Sequence, residues 1–266
     1  MRRILEVLRD ERAPSPLSMC TVVLRIAPGE EFPLMLAANR DERVDRPWDP
    51  PGRWWPDRPD IVGGRDRNAG GTWMAVNGAG VVCCVLNRPG SLGPAPGKES
   101  RGMLPLRALE KKTAQEAAKV ISVLDAGRFR PFNLVLADAN AAIFQRADGS
   151  GPVETVLLPS GLHMVTARDP DDPESPRVAR YLPRFRAAPP PDPASGNWDA
   201  WTQILADRSG LPGSEINVPV RAGFGTVCSS LLAIRHTRAL SWLFAAGPPD
   251  SAPFLPLRTY YEQIDR

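Results

Sequence analysis

No stretch of this sequence stays apolar for the roughly 18 residues that a membrane-spanning helix needs. Residues 1–18 carry Arg2 and Arg3 but no apolar core ahead of Cys20, so they do not read as a secretion signal. Charge is almost balanced, with 33 Lys and Arg against 30 Asp and Glu. A net charge of +3 gives no electrostatic reason to expect a nucleic-acid or membrane partner. Four cysteines in 266 residues are too few for a disulfide scaffold. None is spaced as half of a zinc hook, and no metal site is expected. Histidine is scarcer still. His163 lies in a short apolar run and reads as a satisfied core residue; His236, among Arg235 and Arg238, reads as solvated. No internal repeat is visible. The expectation is a cytoplasmic protein with enough chain to bury a full core, in one domain or two.

What is present is organised around Cys20. It opens a β-branched, apolar run, Cys20–Ile26, and the turn Ala27-Pro28-Gly29 follows. A second apolar run, Leu34–Ala38, ends on Asn39-Arg40-Asp41-Glu42. Two strands joined by a Pro-Gly turn predict an antiparallel hairpin with Cys20 beside Asn39, Arg40 and Asp41. A thiol beside a guanidinium is expected to have a lowered pKa. A neighbouring carboxylate can take up or steer a proton.

Further along, the prolines between Arg43 and Arg67 predict an irregular loop, with Trp48, Trp54 and Trp55 anchoring it or forming an aromatic wall for an apolar substrate. Thr72–Val76 and Val81–Leu86 read as strands around the turn Asn77–Gly80. Cys83 and Cys84 should then point to opposite faces of a strand buried on both sides. Asn87, at the end of that strand, either caps the turn before Pro89 or offers an amide to a developing oxyanion.

Residues 101–124 have helical spacing. A capping box at Thr113 and Glu116 predicts that two helices meet near Lys112, the second closed by Gly127. Strands are expected over 132–138 and 142–145, then a short pair over 153–158 and 162–166. A helix interrupted by Pro183 is expected over 177–187, an exposed linker at Pro189-Pro190-Pro191, and a helix over 198–207. The last strands fall at 226–234, 240–245 and 259–264. Cys228-Ser229-Ser230 lacks a Gly-x-Ser-x-Gly elbow, so it reads as a strand beside that of Cys20, with Thr226 or Ser229 lining a pocket, rather than as a nucleophile. Strand runs alternating with helix pairs predict an α+β layered fold.

Met19-Cys20, the hairpin and Ala38-Asn39-Arg40-Asp41-Glu42 resemble the NRDE family, relatives of the transport and Golgi organisation two proteins. Gly70-Gly71-Thr72-Trp73, Asn87-Arg88-Pro89, Phe132–Val135 and Gly225–Ser230 add to the resemblance, which runs from Met19 to the C-terminus. It implies a single domain over 19–266, with residues 1–18 an extension or an over-long start. It also implies the four-layer αββα sandwich of the N-terminal nucleophile hydrolases, with similarity to the cysteine amidases among them. On that resemblance Cys20, freed as the mature N-terminus, is the nucleophile and its α-amine the base. Asp41 orients the amine, Arg40 stabilises the thiolate, and Asn87 supplies an oxyanion donor. Asn39, Trp73 and Thr226 line the substrate site. Arg168 replaces a second oxyanion group, because Ala167 has no donor there. The implied partner is a small amide or acyl compound, with no cofactor. The family's other implication is a non-catalytic carrier of haem or an acyl lipid, with His163, His236 or Cys20 as the axial-ligand candidates for haem.

Overall fold

The computed structural model describes residues 20–91 and 96–257. The proposed extension, Met19 and the strand expected over 259–264 lie outside the described residues.

Two antiparallel sheets carry the chain. The first strands, β1 (Thr21–Ile26) and β2 (Leu34–Arg43), form the expected hairpin, with Thr21 opposite Asn39 and Ile26 opposite Leu34. They sit in a six-stranded sheet of order β10-β1-β2-β11-β12-β13, where β10 is Gly161–Val165, β11 Phe224–Ile234, β12 Leu240–Ala245 and β13 Leu255–Pro256. The other sheet has seven strands in sequence order: β3 (Trp48–Gly52), β4 (Val62–Asp66), β5 (Met74–Val76), β6 (Val82–Asn87), β7 (Phe132–Ala137), β8 (Ala142–Ala147) and β9 (Glu154–Leu158).

Alternation along each strand builds three apolar layers. Leu24 and Leu36 of one sheet meet Met74, Cys84 and Phe144 of the other between the sheets. On the outer side of the seven-stranded sheet, Cys83 and Leu134 pack under α1 (Met103–Ala108) and α2 (Ala114–Ser122). On the outer side of the six-stranded sheet, Val23 and Ala37 pack under α3 (Pro176–Ala187) and α4 (Asp199–Leu205). The result is the four-layer αββα sandwich. Cys83 and Cys84 do face opposite layers. Half of the capping box forms as expected: the Thr113 hydroxyl accepts from Glu116 N, whereas the Glu116 carboxylate accepts from Lys112 N, one residue before the cap.

Several local expectations are corrected. Regular structure does occur between Arg43 and Arg67, because Pro50 and Pro51 fall in β3, the edge strand, where a missing N–H leaves no ladder bond unmade. Strands β9 and β10 are not partners: β9 pairs with β8, β10 with β1, and Gly161 at φ +133° turns the chain from one sheet to the other. Pro183 does not interrupt α3. Its ring is on the exposed side, and Val178, Tyr181, Leu182 and Phe185 hold the helix by their burial. Pro191 is buried rather than part of an exposed linker. Helix α2 ends at Ser122, and Gly127 belongs to a separate 3-10 turn, Ala126–Arg128. Finally, β11 lies beside β2, not beside β1.

Candidate active site

The pleat of β2 divides the NRDE tetrad between two faces. Arg40 points between the sheets, where its guanidinium carbon lies 4.1 Å from the centre of the Trp73 ring. Asn39 and Asp41 point the other way, toward α3 and α4. Cys20 continues the inward face of β1, packing against the inter-sheet core, whereas Thr21 turns outward. Cys20 and Arg40 therefore share a face, while Asp41 supports them from behind.

That support is a buried network. The Asp41 carboxylate accepts from Arg177 Nη1 at 3.0 Å and from the Thr226 hydroxyl at 2.6 Å. The same Arg177 nitrogen donates to the Thr21 hydroxyl at 2.8 Å. The Thr226 hydroxyl in turn accepts from Val218 N. Burial pushes the Asp41 carboxyl up from its ordinary value, and the charge of Arg177 and the Thr226 hydrogen bond oppose that shift. Arg177 was invisible as a site residue in the sequence. A signal existed: it sits in the first turn of α3, where the helix dipole disfavours a cation. A buried cation there needs a carboxylate, and Asp41 is it.

Asn39 is tied on every side. Its amide nitrogen donates to the carbonyls of Leu205 and Ile216 at 3.1 and 2.9 Å, and its oxygen accepts from the Ser229 hydroxyl at 2.7 Å. It pins β2 to the α4 side of the sandwich and has no amide hydrogen directed at a substrate. Thr226 is likewise bound to Asp41 and serves the network.

Cys20 is half-buried and its thiol donates to the backbone carbonyl of Asp41, with S···O 3.6 Å. The expected lowering of its pKa is overturned: burial first, and then the charge of Asp41, push the thiol up to about 11, against the smaller opposing effect of Arg40. Cys20 lies where two spaces meet. One is a small apolar cavity of about 20 Å³ behind it, bounded by Val22, Trp73, Cys84 and Cys228. The other is a cleft of about 840 Å³ that opens in front of it. Asn87, at the end of β6, lines that cleft from the opposite sheet, so Cys20, Arg40, Asp41, Trp73 and Asn87 border one space. Arg168 does not. It is exposed, paired with Asp172 at 3.5 Å, and lines a separate depression with Arg88 and Asp148.

The tryptophans of the proline-rich segment are fixed by structure. Trp48 packs edge-on to Trp73 and Phe244, and the indole N–H groups of Trp54 and Trp55 donate to Pro50 O and Gly70 O. The aromatic wall of the cleft is Trp73 instead. Gly64 makes room for it: a Cβ there would lie 2.2 Å from the indole ring. Cys228 is buried, with its thiol pushed up to about 12, mainly by burial. His163 has both ring nitrogens engaged, by Asp171 at 2.7 Å and by Pro159 O at 2.9 Å, and His236 is exposed beside Glu31, away from the cleft. The cleft therefore offers haem no imidazole. Among the described residues no helix is long and apolar enough to cross a membrane.

The fold is similar to that of the Caenorhabditis elegans N-acylethanolamine-hydrolyzing acid amidase ortholog, at a TM-score of 0.53 and 11% identity, over 80% of this chain and 92% of that one. A mutant conjugated bile acid hydrolase from Clostridium perfringens is also similar, at a TM-score of 0.48 and 9% identity, over 89% of this chain and 96% of that one. None of the curated proteins matches in sequence. The sequence profile of Transport and Golgi organisation 2 matches residues 19–243, and the chain belongs to that family.

Proposed function

We propose that this chain is an N-terminal-cysteine amidohydrolase acting on a small amide or acyl substrate. The observation that supports this most is the position of Cys20, at the floor of the cleft of about 840 Å³, with Arg40 on its own face and Asn87 across from it. A cleft of this size accommodates a metabolite or drug-sized compound. The proposal requires cleavage of the chain before Cys20, so that its α-amine is free.

A thiol held near 11 is a poor nucleophile alone at neutral pH. A free α-amine, with an ordinary pKa of about 7.7–8.0, supplies the base. The Cys20 sulfur bonds to the acyl carbon as its proton passes to the amine. The carbonyl oxygen becomes an oxyanion, which Asn87 stabilises. Arg40 favours the thiolate. Collapse breaks the C–N bond, and the leaving nitrogen takes the proton from the α-ammonium. Water then adds to the thioester while the amine accepts its proton, releasing the acid and restoring the thiol. Asp41, fixed by Arg177 and Thr226, has lone pairs left to orient the amine.

The test is hydrolysis of short acyl p-nitroanilides and thioesters. Cys20→Ala is expected to abolish turnover. Asn87→Ala is expected to lower kcat by about 10²–10³ with little change in KM. Undiminished turnover in Cys20→Ala would refute the reading. A wild-type protein that turns nothing over, yet gives a haem difference spectrum or binds an acyl lipid stoichiometrically, would identify the cleft as a carrier site.

A further inference from the structure

The residues that border the cleft in front of Cys20 carry a surplus of positive charge. All four acidic residues that border it are already paired with arginines. Asp41 is bonded to Arg177 and Asp66 to Arg46 at 2.6 Å; Glu42 lies 3.6 Å from both Arg40 and Arg46; Glu99 is bonded to Arg107 at 2.7 Å. The cations do not balance in the same way. Arg101 and Lys98 line the cleft, and neither has a carboxylate within ion-pair distance among the described residues. Lys98 is exposed and, among the described residues, bonds only to the carbonyl of Gly127.

Arg101 is the more telling of the two. It is half-buried, and a single Nη1 bond to Pro131 O at 3.0 Å anchors its guanidinium. Its other guanidinium N–H groups have no acceptor among the described residues. Arg130, which donates to Gly90 O, stands beside it, and burial together with that second cation lowers the Arg101 pKa to about 10. The Arg101 guanidinium is partly desolvated and has no carboxylate partner among the described residues, which is costly unless an anion joins it.

The backbone beneath Arg101 is built to hold this position. Gly102 O accepts from Thr72 N at 2.9 Å, and a Cβ on Gly71 would lie 2.4 Å from the Gly102 carbonyl carbon. The close Gly71–Gly102 contact therefore couples the segment carrying Arg101 to the segment carrying Trp73. The Cys20 thiol, the Trp73 ring and the Arg101 guanidinium thus line one cleft.

From this juxtaposition we propose that Arg101, aided by Lys98, is an anion-binding subsite, and that the compound taken by the cleft is an acyl derivative that also bears a carboxylate or phosphate. This rests on the cleft being the substrate site but not on Cys20 being catalytic. Arg101 pairs with a planar carboxylate or a phosphate through two parallel N–H bonds. Its role is recognition, and it takes no part in bond making or breaking.

The experiment is calorimetric binding to the intact wild-type chain, with two matched pairs of probes. N-hexanoylglycine is compared with neutral N-hexanoylglycinamide, and N-hexanoyl-O-phosphoethanolamine with neutral N-hexanoylethanolamine. The expected result is at least a tenfold preference for the anion in one pair, which also assigns carboxylate or phosphate. That preference should fall to about twofold in Arg101→Met, be partly kept in Arg101→Lys, and shrink as salt is raised. Equal affinity within both pairs, no binding of any probe, or a preference untouched by Arg101→Met would overturn the proposal. The measurement needs no turnover. Failure of the nucleophile mechanism would instead appear as an unacylated Cys20, whatever the binding preference.

Discussion

Arg177 Nη1 lies 3.0 Å from Asp41 Oδ2, a fully buried ion pair between residues 136 positions apart in the chain. It joins α3 to the NRDE strand and closes the network behind Cys20. Removing one partner of such a pair leaves a buried charge uncompensated, at a cost of about 3–5 kcal/mol. Arg177→Met should therefore lower unfolding free energy by about that amount in urea denaturation. Combining it with Asp41→Asn should recover part of the loss. Additive losses in the double variant would mean that the two side chains act independently.

Asn39 sits within the tetrad but works as a brace. Asn39→Ala leaves the Leu205 and Ile216 carbonyls without their donor, at about 1–3 kcal/mol for each buried group left unpaired. Its melting temperature should drop while the folded fraction still reacts at Cys20 with a small alkylating reagent. Unchanged stability would contradict the bracing role.

The raised pKa of Cys20 gives a pH signature. In a chain where residue 20 follows a peptide bond, the rate of alkylation by iodoacetamide should climb about tenfold per pH unit from pH 7 toward the thiol pKa of about 11. Arg40→Met removes a charge that favours the thiolate, so it should slow alkylation throughout that range. A rate that levels off by about pH 9.5, one unit above the ordinary thiol pKa of about 8.5, would show an ordinary thiol.

His163 tests the sign of a second shift. Its bond to Asp171 raises its pKa above the ordinary value of about 6.5. The stabilisation is fully present below that ordinary value and fades as pH rises through the folded value. His163→Gln should therefore cost more stability at pH 5.5 than at pH 9. An equal cost at both, read from denaturant midpoints, would remove the ion-pair contribution.

Local devices were legible in the sequence because their causes are local. The register of Thr21 against Asn39 follows from one turn and two apolar runs. The opposite faces of Cys83 and Cys84 follow from the pleat, and the helix start at Thr113 from its capping box. The layered α+β arrangement followed from alternation, whereas its specific four-layer form came through family resemblance. What stayed hidden depends on partners far along the chain. Nothing near Arg177 names Asp41, and nothing near Arg101 shows that it faces the same cleft as Cys20. Strands β9 and β10 look like a hairpin because two residues join them, yet their ladders belong to different sheets. The thiol of Cys20 departs from expectation for the same reason: a neighbouring arginine is visible in the sequence, but the burial that outweighs it arises only when two sheets close over the residue.

The measurement closest to the central claim is intact mass with N-terminal peptide mapping of protein made from its own gene, before and after exposure to an acylating probe. The account predicts a mature chain beginning at Cys20 that gains one acyl group on that residue, with Cys20→Ala gaining none. A stable chain that keeps Met19 or earlier residues and stays unlabelled at Cys20 would contradict it.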